Sequence, residues 1–121
     1  METRLIALLR LMVRYFGTDL SLKTNGKNCT IEMNVDGTIR QVKSRPEDYQ
    51  LIRFLMYLSN MQVTAEFRPQ VSIFDMVVDG QPLHLRYAVI KVKDDYRAVL
   101  RILNNNPDFV ENVTALQMGE C

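Results

Sequence analysis

Two Asp-Gly dipeptides, Asp36-Gly37 and Asp79-Gly80, constrain this chain more than any other feature in it. A two-residue hairpin turn needs central positions that accept positive φ, and Asp followed by Gly supplies both. Each pair lies between runs that alternate apolar and polar residues. Before the first, Ile31, Met33 and Val35 alternate with Thr30, Glu32 and Asn34, and Thr38 to Lys43 reads as the returning strand. Around the second, Phe74, Met76 and Val78 share a face. Leu83, Leu85, Tyr87 and Val89 do the same along the longer run that ends at Lys93, opposite His84, Arg86, Ala88 and Ile90. A period of two puts each apolar set on one side of a sheet. Pro82 falls at the start of its strand, where a missing donor does little harm.

The remaining strands follow by the same reading. Asp19 to Lys23 forms a short strand with Leu20 and Leu22 on one face, joined by the polar turn 24–28 to Cys29–Val35. Asp94-Asp95 marks a further turn, and Tyr96, Ala98, Leu100 and Ile102 oppose Arg97, Val99 and Arg101 in the last strand.

Two segments have helical spacing instead. Over residues 2–16, Leu5, Leu8, Leu9, Met12 and Phe16 recur on one side, and Gly17 is expected to end the helix. Its arginines leave a membrane-surface helix as the alternative to a core-packing one. Ser44-Arg45-Pro46-Glu47 has the form of a capping box. The helix it opens carries Leu51, Phe54, Leu55, Leu58 and Met61 on one face, with Asp48, Gln50, Arg53 and Asn60 on the other. Pro69 biases Arg68 towards an extended conformation, so the link from Met61 to Gln70 is read as irregular. Asn106-Pro107 suits the start of a third helix over 108–118. This order predicts an α+β fold: one domain of PAS-like proportions, mainly an antiparallel sheet of about six strands, with two main helices covering it.

A chain of 121 residues is one domain by size. With 15 basic against 14 acidic side chains, the net charge of +1 gives no electrostatic reason to expect direct nucleic-acid binding. A local basic patch stays open, since Arg10, Arg14, Arg40, Lys43, Arg45 and Arg53 lie in the first half. Cys29 and Cys121 make neither a disulfide framework nor a metal-ligand pattern, and His84 is the only histidine. Together with the lack of a run near the ~20 apolar residues that a membrane span needs, they suggest a cytoplasmic chain with no bound metal.

Catalytic signatures are missing: no phosphate loop, no dinucleotide fingerprint and no nucleophile elbow. The adjacent carboxylates Asp94-Asp95 and Glu47-Asp48 diverge on a strand or a helix, and turn and helix-start preferences explain them. The chain by itself reads as no enzyme. Arginine is what remains. Arg86 stands among apolar strand residues: on a covered face it needs an anionic partner, and on an open face it is an ordinary exposed residue, the reading composition favours. Arg101, one strand later, has a similar setting.

Several segments in collinear order resemble the N-terminal domain of the traffic ATPases of type II secretion, type IV pilus assembly and DNA-uptake competence. Gly17-Thr18-Asp19-Leu20-Ser21-Leu22 is similar to the family's G-A-S-D-I-H-I, and the run Ile31 to Ile39 to its strand and turn ending in I-D-G. Leu58-Ser59-Asn60-Met61 stands where it writes L-A-G-M, and Pro69-Gln70 where it writes P-Q. Leu83-His84-Leu85-Arg86 resembles its D-L-R strand, and Leu100-Arg101-Ile102-Leu103 its closing L-R-L-L. The segment Arg68-Pro69-Gln70-Val71-Ser72 is closest to the competence branch.

The resemblance implies that residues 1–103 form the family's N-terminal, PAS-like domain and 104–121 an extension or linker towards a motor domain. It further implies a RecA-like ATPase motor domain as partner, a homo-hexamer in the complete protein and an inner-membrane platform protein of a pilus-like machine. The place would be cytoplasmic, peripheral at the inner face of the cell membrane. ATP would be bound only together with the motor domain, and Arg86 and Arg101 would contact its phosphates, a task that suits the donor fork of guanidinium. Three positions depart from the pattern: Ser21 replaces a histidine, and Asn34 and Ile73 replace arginines. Phosphate loop and motor boxes are absent, which leaves a fragment of a longer chain or a standalone relative. The alternative function is a PAS-like adaptor that binds a ligand or a protein in the concavity of its sheet.

Overall fold

The computed structural model describes residues 1–61 and 68–104. Helix α1 (Glu2–Tyr15) leads into strands β1 (Gly17–Asn25), β2 (Asn28–Val35) and β3 (Thr38–Val42). A 3-10 turn (Pro46–Gln50) runs straight into helix α2 (Leu51–Leu58), and β4 (Gln70–Val78), β5 (Gln81–Val92) and β6 (Asp95–Ile102) follow. The six strands form one sheet in the order β3-β2-β1-β6-β5-β4, every neighbouring pair antiparallel. The expected α+β class and strand count are what the molecule has. The third helix over 108–118 and most of the 61–70 link lie outside the described residues.

The sheet is two three-stranded meanders laid side by side, joined where β1 meets β6. Both helices cover the same face. Leu5, Leu8, Leu9 and Met12 of α1 and Leu51, Ile52, Leu55 and Met56 of α2 are buried against Leu20, Leu22, Ile31, Leu83, Leu85, Tyr87 and Leu100 of the sheet. The apolar stripe of α1 is thus consumed by the core, which answers the membrane-surface alternative for that face. Tyr87 adds a polar tie across the layers, its buried hydroxyl donating to Ile52 O at 2.9 Å. Among the described residues no helix is long and apolar enough to cross a membrane.

Both Asp-Gly turns take the conformation their residues favour, with φ of 52° and 77° at Asp36-Gly37 and 52° and 78° at Asp79-Gly80. Local details differ from the sequence reading in three places. Phe16, not Gly17, is the left-handed residue that ends α1 (φ 54°), so its ring is exposed. Gly17 instead lies close under the core: a Cβ there would stand 2.9 Å from Met33 Sδ, which would have to shift. The cap of the second helical segment lies one residue later than Ser44, where Arg45 N–H donates to Asp48 Oδ2 at 2.7 Å. Asp48 is fully buried, because Arg4 reaches it from α1, and does not lie on an outer face. The turn before β6 is Lys93-Asp94, with Lys93 at φ 58°; Asp95 is already paired with Val92 and accepts Gly26 N–H at 2.9 Å. At the end of α2, Asn60 takes the left-handed conformation (φ 59°) and Met61 N–H bonds back to Met56 O. This is the position where the resembling family writes glycine, and asparagine is the residue that next best tolerates it.

Candidate functional site: the uncovered face of the sheet

Residues that alternate with the core set stand on the other face, which neither helix covers. Register fixes who meets whom. Arg86 of β5 is the direct cross-strand partner of Arg101 of β6, and Arg101 is in turn the partner of Asp19 of β1. Continuing outward, Asp19 is opposite Asn34 and Arg86 is opposite Ile73. One row across five strands therefore reads Asn34, Asp19, Arg101, Arg86, Ile73. Both candidate arginines are in it, side by side. So are two of the three positions that depart from the family pattern, while Ser21 stands one row along on the same face, opposite Val99.

Directly opposed side chains have Cβ atoms about 5 Å apart, and like charges there are unfavourable. The two arginines are treated differently by their surroundings. Arg101 Nε–H donates to Asp19 Oδ1 at 2.6 Å. Arg86, half-buried, has no ion-pair partner among the described residues. The carboxylate thus offsets one of two adjacent charges, and the row keeps a net positive charge with guanidinium donors to spare. Arg86 is on the open face, where the sequence alone favoured an ordinary role, but a neighbouring arginine at its side is not an ordinary setting.

Further groups extend the site. Below the arginine row, His84 and Asp75 are cross-strand partners with Nδ1 and Oδ1 2.7 Å apart, both well exposed. Along the strands in the other direction a hollow of about 310 Å³ is lined by Ser21, Lys23, Pro69, Ala88, Ile90, Val99 and Arg97 among others. Asn34 Oδ1 is buried and accepts no hydrogen bond among the described residues. Those residues also contain no group of His, Cys, Asp and Glu able to hold a metal ion.

Asp19 and the His84–Asp75 pair were not singled out by sequence reasoning. For Asp19 one signal existed: the alternation of Leu20 and Leu22 puts it on the face opposite the core, together with Ser21. Its meeting with Arg101 depends on β1 lying beside β6, and no local pattern carries that. Arg86 and Arg101 were reached through family resemblance, and the structure brings them together.

No curated protein matches the chain. The family model described as type II/IV secretion system protein matches residues 2–121. That match extends over nearly the whole chain and includes every strand of the sheet, so this protein belongs to the family of type II/IV secretion system proteins.

Proposed function

We propose that this chain is the N-terminal regulatory and assembly domain of a hexameric secretion, pilus or DNA-uptake ATPase, and that Arg86 and Arg101 are lent to the phosphates of ATP bound by a RecA-like motor domain. The observation that carries this reading is the cross-strand pairing of Arg86 with Arg101 on the uncovered face, in a chain of this family. Two adjacent guanidinium groups repel, and an oligophosphate relieves the repulsion while using the donors of both. The motor domain would supply the phosphate loop and the metal. This domain would sense whether the γ-phosphate is present and move accordingly.

In this reading residues 104–121 lead towards the motor domain, and the hexamer works at the inner face of the cell membrane against a platform protein. The competence branch rests on the segment from Arg68 to Ser72 alone. The domain by itself hydrolyses no ATP.

The test is made in an ATPase that carries this domain ahead of its motor. A hydrogen bond to a charged group is worth ~1.5–3 kcal/mol, so R86A and R101A should each raise the Kd for ATP about tenfold or more. Unchanged affinity in both variants sinks the proposal.

A second reading, a PAS-like adaptor, has one observation in its favour: the hollow on the same face, which is apolar along Ala88, Ile90 and Val99 and rimmed by Lys23 and Arg97. Its volume of about 310 Å³ is at the lower limit for a small-molecule site. A bound ligand carried through purification would favour it.

A further inference from the structure

Asp19 meets Arg101 in the regular β1–β6 register, and a local irregularity lies just before it. The β1–β2 register pairs Gly17 with Val35 and Asp19 with Asn34, so Thr18 is an extra residue, a β-bulge. Bulges re-aim side chains and favour the neighbourhood of functional sites. Extending the regular register of Asp19 to Asn25 would put Thr18 opposite Val35; Gly17 takes that place instead. Asp19 stays opposite Asn34, Leu20 and Leu22 point into the core, and Gly17 lies under Met33.

The bulged residue helps to fix the carboxylate. Asp19 Oδ2 accepts the Thr18 hydroxyl at 3.0 Å and Oδ1 accepts Arg101 Nε–H at 2.6 Å, so each oxygen has its own partner. The Asp19 side chain is only 17% exposed, against 52% for Arg101. A nearly buried, doubly bonded acid therefore grips a largely exposed base. The point of attachment matters most. Asp19 takes the Nε–H, and among the described residues no acceptor takes the Nη1 and Nη2 donors of Arg101. A guanidinium held by Nε can pivot little and keeps its outer edge for another acceptor.

We infer that Asp19 is a positioning residue: it holds Arg101 by Nε so that the Nη edge, beside Arg86, is presented to a phosphate oxygen. This rests on the reading of the arginine pair as a phosphate contact and goes one residue beyond it. The opposite role, a competitor that masks Arg101 until phosphate displaces it, would engage the Nη donors that phosphate needs, and Asp19 leaves those alone.

The experiment uses the 121-residue chain with tripolyphosphate as probe, followed by NMR on the arginine Nε–Hε signals and the backbone. Wild type should bind with a Kd on the order of 1 mM, and its Arg101 Nε–Hε signal should be resolved from the other arginines before any probe is added. D19A should weaken binding about tenfold and merge that signal with the rest. D19N keeps an oxygen acceptor for Nε and removes a negative charge, so it should bind at least as tightly as wild type and keep the signal. T18V, a milder change that leaves the carboxylate in place, should weaken binding about twofold. Weaker binding by D19A with rescue by D19N supports the inference. Binding by D19A equal to or tighter than wild type, with R101A still weakened, overturns it and leaves the arginine reading standing. If wild type fails to bind at concentrations on the order of 10 mM, or R86A and R101A bind as wild type does, the arginine reading falls and this inference falls with it.

Discussion

Asp48 has no exposed surface, yet it accepts three side-chain or backbone donors. Arg4 donates to both of its oxygens, Nε to Oδ1 at 2.9 Å and Nη2 to Oδ2 at 3.0 Å, and Nη2 also reaches Lys43 O at 3.0 Å. Oδ2 caps the 3-10 turn through Arg45 N–H. Removing one partner of a buried pair leaves a charge without compensation, so D48A should lower the urea-unfolding free energy by about 3 kcal/mol. The R4A/D48A double variant should cost clearly less than the sum of the two singles; strict additivity would show that the pair is not coupled. Cys29 makes a second residue-scale prediction. Burial, with the nearby Asp48 charge as a lesser cause, pushes its thiol up to about 11. At pH 8 about one thiol in a thousand is then thiolate, so in a C121S background Cys29 should resist alkylation until the protein unfolds. The sign in stability follows: the folded state keeps the proton, so the contribution is full below the ordinary thiol value and is lost as pH rises towards about 11. Labelling at a free-thiol rate at pH 8 would contradict the burial. Cys29 could be placed from sequence, among strand residues and in step with Ile31 and Met33 of the core face, and it is buried; Asp48 could not. Asp48 falls on the polar side of its helical segment by periodicity, and its partner is in another element, far off in the chain.

At the scale of elements, the β4–β5 turn combines two functions in one residue. Asp79 takes positive φ for the turn and also receives two donors from Arg10, Nε at 2.7 Å and Nη2 at 2.8 Å, fastening α1 to the far end of the sheet. The hydrogen bond from Arg10, helped by its charge, holds the Asp79 carboxyl below its ordinary value of 3.8. A carboxyl lowered in the folded state stabilises above its unfolded value and loses that contribution as pH falls through the folded one. Wild type should therefore be more stable than D79N at neutral pH and low salt. The difference should shrink as pH drops below 3.8 and also in high salt, because both groups are exposed. Thermal melts across pH test it, and a gap that persists in strong acid would exclude the pair as its cause. Asn tolerates the left-handed conformation, so D79N leaves the turn intact. The Asp-Gly hairpins were legible because everything that makes them lies within four residues. The Lys93-Asp94 turn was displaced by one, since two adjacent aspartates give no preference between registers. The Thr18 bulge was invisible, because a bulge is defined by the partner strand and not by the strand that contains it.

For the molecule as a whole, the seam between β1 and β6 decides the architecture. Each meander is made of sequence neighbours, but Asp19 to Lys23 must find Arg101 to Arg97 across most of the chain. Non-local pairing comes with a loop-closure cost that local hairpins do not have. The seam should form after the hairpins. L20A, at a fully buried seam residue, should then mainly speed unfolding and leave the folding limb of the chevron nearly unchanged, with φ below about 0.3. A φ near 1 would make the seam the nucleus. The α+β class, the strand count and the two-sided character of β5 were all readable from periodicity. The strand order was not, since periodicity says which side faces in and is silent on neighbours. The arginine pair became a pair only through that order.

The chain also leaves the sheet at this seam. Leu103 N–H still bonds His84 O at 2.7 Å, and Asn104 clasps both His84 N–H and Pro82 O at 3.0 Å, so the strand is gripped up to its exit. Arg101 is two residues inside that grip, on the end of β6 and one strand from Asp19. A pull on the polypeptide beyond Asn104 would act along β6 in shear, displacing Arg101 past Asp19 and Arg86 before any edge strand felt the load. Of the row's charged residues, Arg101 is the one carried by the strand that leads to Asn104.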